Sequence, residues 1–108
     1  MDAQTKPKNQ DFEAYADHKP FNYVVNPVWE GLVNEVAKGA SKRELRILDY
    51  GCGDGKLFPN LVRMGFDAEN IYGIEVSQKR IERCHSIGFN NAQFVNLNQP
   101  MPLASGMF

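Results

Sequence analysis

Apolar residues recur along the chain with two different periods, and the switches between them divide it into elements. Trp29, Leu32, Val33, Val36 and Ala37 fall at helical spacing on one face. Asn26 is a good N-cap ahead of them, Pro27 suits the first helical position, and Gly39 ends the helix. Leu45, Ile47 and Leu48 then make a short apolar run of the kind that forms a buried strand. Helical spacing returns at Leu57, Phe58, Leu61 and Val62 and lasts to Gly65, with Pro59 tolerated in the first turn. The β-branched run from Ile71 to Val76 predicts a second buried strand. Ser77 can cap a helix over Gln78 to Ile87, whose apolar side is Ile81, Cys84 and Ile87 and whose end is marked by Gly88. Ala92 to Leu97 supplies a third strand, and the proline-containing remainder reads as loop.

The order helix, strand, helix, strand, helix, strand predicts an α/β fold with a parallel sheet and right-handed crossovers. Residues 1–25 do not share the pattern. They are polar, contain Pro7 and Pro20, and read as a flexible arm or lid with room for a short helix between Phe12 and Ala16. Residues 26–108 form the domain.

Composition adds bounds. The 108 residues, 43% of them hydrophobic and 23% charged, suit one globular domain. A net charge of -1 gives no general attraction to nucleic acid or anionic membrane. The N-terminus lacks the apolar stretch of a signal peptide, so a cytoplasmic location is expected. Cys52 and Cys84 lie outside any CxxC spacing, which suggests reduced thiols and no metal site.

The chemistry concentrates in LDYGCGDG, Leu48 to Gly55. A strand entering a helix through small residues makes a crevice at the carboxyl end of a sheet, where open α/β folds bind ligands. Gly51, Gly53 and Gly55 permit positive φ and close approach to the backbone. A dinucleotide loop, GxGxxG, needs a glycine where this chain has Lys56, and a P-loop needs a GKS or GKT that is missing. Glu75 lies 24 positions after Gly51, at the end of the second predicted strand, where a carboxylate can accept hydrogen bonds from both hydroxyls of a ribose.

ILDYGCGDG followed by IYGIEVS resembles the first two motifs of the class I S-adenosylmethionine-dependent methyltransferases, and FVNLNQPMPLASGMF is similar to the segment after their third strand. The resemblance runs from about Arg46 to Phe108 and implies a three-layer Rossmann-like parallel sheet, of which about three strands with flanking helices are present. It implies S-adenosylmethionine as cofactor. Asp49 and the backbone of Gly51 and Gly53 would contact its methionyl part, with Cys52 and Gly55 completing the loop. Glu75 would hold the ribose and Val76 would pack on the adenine. Asn96 stands where the family often has an aspartate for the adenine amino group, and Leu97 would add a backbone contact. No catalytic base is assigned, since the donor methyl is already activated. His85 is expected on a helix surface, and Lys79, Arg80 and Arg83 on a solvated face. Tyr15, His18 and Tyr23 are candidates for a lid over the cofactor.

The family's sheet usually has seven strands, so the chain is expected to be a truncated, cofactor-binding half, competent for methyl transfer to an unidentified acceptor in a longer parent. An exposed edge on the first strand predicts self-association. A non-catalytic nucleoside-binding or regulatory module and a NAD-type Rossmann fragment remain the alternative readings.

Overall fold

The computed structural model describes Asn9, Glu13, residues 27–100, Gly106 and Phe108. Helix α1 (Pro27–Val36) leads to strand β1 (Ile47–Tyr50), then to helix α2 (Phe58–Arg63) and a 3-10 turn (Ala68–Asn70). Strand β2 (Ile71–Glu75), helix α3 (Gln78–Ser86) and strand β3 (Ala92–Phe94) follow. All three strands are parallel, in the order β1-β2-β3. The register places Asp49 beside Gly73 and Glu75 beside Phe94. This is the expected Rossmann-like α/β arrangement, a parallel sheet with flanking helices.

The main core lies on the sheet face that carries Ile71. There Ile71, Leu61, Phe66, Ile81, Cys84 and Phe89 are buried together, with Phe58 and Phe89 stacked at 4.7 Å between ring centroids. The amphipathic spacing of α3 explains its seat: Ile81 and Cys84 turn inward, while Gln78, Lys79 and Glu82 are exposed. Ser77 caps it as expected, its hydroxyl accepting from the Arg80 N–H at 3.2 Å.

Three expectations need correction. The β1 segment is half-buried rather than buried, and Tyr50 at its end is 75% exposed. The face of α1 is only partly covered: Trp29 and Val33 pack on the core, but Leu32 is exposed and Val36 is 89% exposed. The cause is the same in both cases. Among the described residues β1 has a strand neighbour on one side only, and an apolar groove of about 620 Å³ runs beside it, lined by Trp29, Leu32, Val36, Ile47, Leu57 and others. The third strand is also shorter than the expected Ala92 to Leu97: it ends at Phe94, although Val95 stays buried and its N–H still donates to Glu75 O at 2.9 Å.

One packing requirement escaped the hydrophobic pattern. A Cβ at Gly73 would lie 2.7 Å from Phe89 Cζ and 2.8 and 2.9 Å from Cys52 Sγ and Cβ. The missing side chain is what lets the glycine loop and Phe89 close over β2. Gly73→Ala is therefore expected to destabilise by roughly 1–3 kcal/mol through overpacking. Gly31→Ala, in the exposed interior of α1 with nothing within 4 Å, should instead stabilise by roughly 0.5–1 kcal/mol. Urea denaturation of the two variants checks both signs.

Candidate functional site

The glycine loop begins by folding over the end of β2. The N–H groups of Gly51 and Cys52 both donate to Ile74 O, each at 2.9 Å. Sustaining that turn requires positive φ at Gly51, Gly53 and Gly55, at 74°, 58° and 85°. The three glycines then serve different neighbours. A Cβ on Gly51 would enter open space, whereas one on Gly55 would press on Cys84, Ile87 and Phe89 at 3.2 to 3.3 Å. Gly51 thus fronts solvent and Gly55 seats the loop against α3. Cys52 points into the core, its Sγ 3.9 Å from that of Cys84. The hydrogen bond with Cys84 and burial push its thiol well above the ordinary range, which favours the neutral form.

Glu75 holds the loop and the next helix together. Its Oε1 accepts from Gly53 N–H at 3.1 Å and its Oε2 from Ser77 N–H at 2.8 Å. Each oxygen keeps a lone pair for a further donor. Asp49, at the carboxyl end of β1, is half-buried. Burial, and next the negative charge of Glu75, raise its carboxyl above the usual 3.8. Among the described residues neither Asp49 nor Glu75 has an ion pair.

Asp54 contrasts with them. It is 7% exposed in its side chain and is met by Arg83 at 3.0 Å and Arg80 at 3.3 Å. The expected solvated face of α3 is thus corrected at Arg80 and Arg83, which reach back to the loop because their spacing of three puts them on one side of the helix. Removing Asp54 would leave two arginines without their carboxylate, whereas removing one arginine leaves Asp54 paired with the other. His85 is exposed as expected, and its Nε2–H donates to Ala92 O at 2.8 Å.

Beside the loop lies a cleft of about 280 Å³, lined by Tyr50, Gly51, Glu75, Val76, Asn96 and Leu97 among others. The structure therefore brings Gly51, Glu75, Val76, Asn96 and Leu97 around one space. Asp49 opens on the apolar groove beside β1 and meets that group through the field of Glu75. The Asn96 side chain is partly committed, its Oδ1 accepting from Asn98 N–H at 2.9 Å. Tyr15, His18 and Tyr23 lie outside the described residues.

Two residues of the N-terminal segment, both helical, reach the same rim. Asn9 Nδ2 donates to Val76 O at 2.6 Å and Val95 O at 3.1 Å, while its Oδ1 accepts from Leu97 N–H at 3.3 Å. Glu13 accepts from the Ser77 hydroxyl and from Lys79 N–H at 3.2 Å, at the N-terminus of α3. Although burial acts the other way, these hydrogen bonds, that of the Gln78 N–H and the charge of Lys79 hold its carboxyl below the ordinary value. Nothing in a polar, aperiodic arm announces such contacts. Asp54 had a weak signal in the basic pair Arg80 and Arg83.

A family model described as a methyltransferase domain matches residues 41–99. The chain belongs to that family. No match to a curated protein or to a solved structure was found. The matched span of the methyltransferase domain contains the glycine loop, Asp54, Glu75 and the three strands, but neither Asn9 nor Glu13.

The raised carboxyl of Asp49 has a signed consequence. A carboxylate whose pKa rises on folding opposes the folded state once ionised, so the penalty is absent at low pH and sets in as pH climbs through the folded pKa. Asp49→Asn should therefore melt at a higher temperature than wild type at pH 7, with the difference closing as pH falls below the usual 3.8. Thermal unfolding across that range tests it, and an equal or lower midpoint at pH 7 contradicts the burial argument.

Proposed function

We propose that this methyltransferase domain binds S-adenosylmethionine across the glycine loop and the cleft at the ends of β2 and β3, as the cofactor-binding half of an enzyme that methylates an acceptor. The observation that carries the reading is the contrast among the three acidic residues. Asp54 is paired with two arginines, while neither Asp49 nor Glu75 has an ion pair among the described residues. Such a site favours a ligand with positive charge and hydroxyl donors. It disfavours the pyrophosphate of a dinucleotide, whose charge would meet two carboxylates.

The residues fit the group. Glu75 has lone pairs left for ribose hydroxyls after its two backbone bonds, and Gly51 leaves open space where a side chain would intrude. When bound, the cofactor supplies an activated methyl on a sulfonium. The chain's own residues bind and orient: Glu75 holds the hydroxyls, Asp49 offers charge to the methionyl end, and the clamp of Asp54 by Arg80 and Arg83 keeps the loop against α3. No side chain of this chain is assigned as a base.

Calorimetry with S-adenosylhomocysteine and with NAD separates the readings. Binding of the first and not the second is expected, and Glu75→Gln should weaken it about tenfold or more through loss of charge-assisted hydrogen bonds. Binding of NAD alone would leave the dinucleotide reading standing. Binding of S-adenosylhomocysteine without methyl transfer by a longer parent chain would favour the regulatory module. That β1 has a strand neighbour on one side only among the described residues further supports self-association, for which light scattering should return the mass of a dimer, and a monomer at high concentration contradicts it.

A further inference from the structure

We infer that Asn9 is a built-in competitor for the nucleobase, withdrawn from the ends of β2 and β3 when the cofactor binds. The inference rests on the cofactor reading above and adds a regulation of the same cleft.

A carboxamide is a planar group with an N–H donor next to an oxygen acceptor. The edge of adenine that carries its amino group presents the same pair, the amino donor next to a ring-nitrogen acceptor. Asn9 spends its donor on Val76 O and Val95 O and its acceptor on Leu97 N–H. Val76, Val95 and Leu97 all line the cleft. Of the three backbone groups, Leu97 N–H is the donor that a base nitrogen needs, and Asn9 already holds it at 3.3 Å. Base and carboxamide are alternatives at that N–H.

Glu13 strengthens the seat. Four residues after Asn9, and helical like it, it grips the Ser77 hydroxyl and Lys79 N–H at the start of α3, immediately beyond Glu75. Asn9 and Glu13 thus each hold to the domain, one on the base side of the cleft and one beside the ribose carboxylate. A ligand that needs Leu97 N–H binds only molecules in which Asn9 is withdrawn, and its affinity is lowered by that fraction.

The test is calorimetry of S-adenosylhomocysteine and adenosine binding to the full chain and to Asn9→Ala and Asn9→Asp. Alanine removes all three bonds; aspartate keeps the shape but sets an anion against two carbonyl oxygens, so both weaken the hold of this side chain on the cleft. Each variant is expected to bind both ligands about threefold to tenfold more tightly than wild type, the worth of one net hydrogen bond. Thermal unfolding shows whether each variant is folded, and the aspartate variant carries the test if alanine does not fold. Unchanged or weaker binding by the folded variants, with wild type still binding, overturns the competitor and makes Asn9 a wall of the site. Absence of binding by wild type and variants alike overturns this inference together with the cofactor reading.

Discussion

The carboxylate of Glu75 is the constraint on which the site depends. One oxygen takes the Gly53 N–H and the other the Ser77 N–H, so a single side chain at the end of β2 joins the glycine loop to the start of α3. These are charge-assisted bonds to backbone donors in a largely buried position, where they are stronger than their neutral counterparts. They hold the loop in a conformation that only glycines adopt easily, with positive φ at three alternate positions. Burial first, and then the same carboxylate, raise the proton affinity of Asp49.

Around that tie the loop is closed by complementary means. Gly73 leaves room for Cys52 and Phe89, Gly55 leaves room for Cys84 and Ile87, and Asp54 is drawn to α3 by two arginines. Packing, chain conformation and ion pairing thus converge on the loop from Gly51 to Gly55, while the β1 side is left with an open apolar groove. The asymmetry follows from topology. Strand β2 has a neighbour on each side and is buried, whereas β1 has a neighbour on one side only among the described residues.

The fold was legible because its elements carry periodic signals. The helix over Gln78 to Ile87 appears as α3 with Ser77 as its cap, and the IYGIEV run appears as β2 within one residue. Such local features depend on apolar spacing and capping chemistry alone. Burial was less legible. The apolar face of α1 and the run at β1 were expected inside, but Val36 is exposed and Ile47 and Leu48 are only half-buried, because burial needs a partner surface that no local window contains. Similarly, Arg80 and Arg83 looked like surface charge, since their target Asp54 lies 26 and 29 positions away.

By itself the sequence determined the order of the elements, the turn chemistry of Gly51 to Gly55 and the acidic residue at the end of the second strand, all of which follow from short-range sterics and period. Only the tertiary structure decided that Glu75 spends both oxygens on backbone N–H groups, that Gly55 faces a helix while Gly51 faces the cleft, and that Asn9 sits on the rim formed by Val76, Val95 and Leu97. The physical reason is separation along the chain. Asn9 lies 67 to 88 positions from the groups it binds, and a hydrogen bond across that distance has no trace in any local pattern of residues.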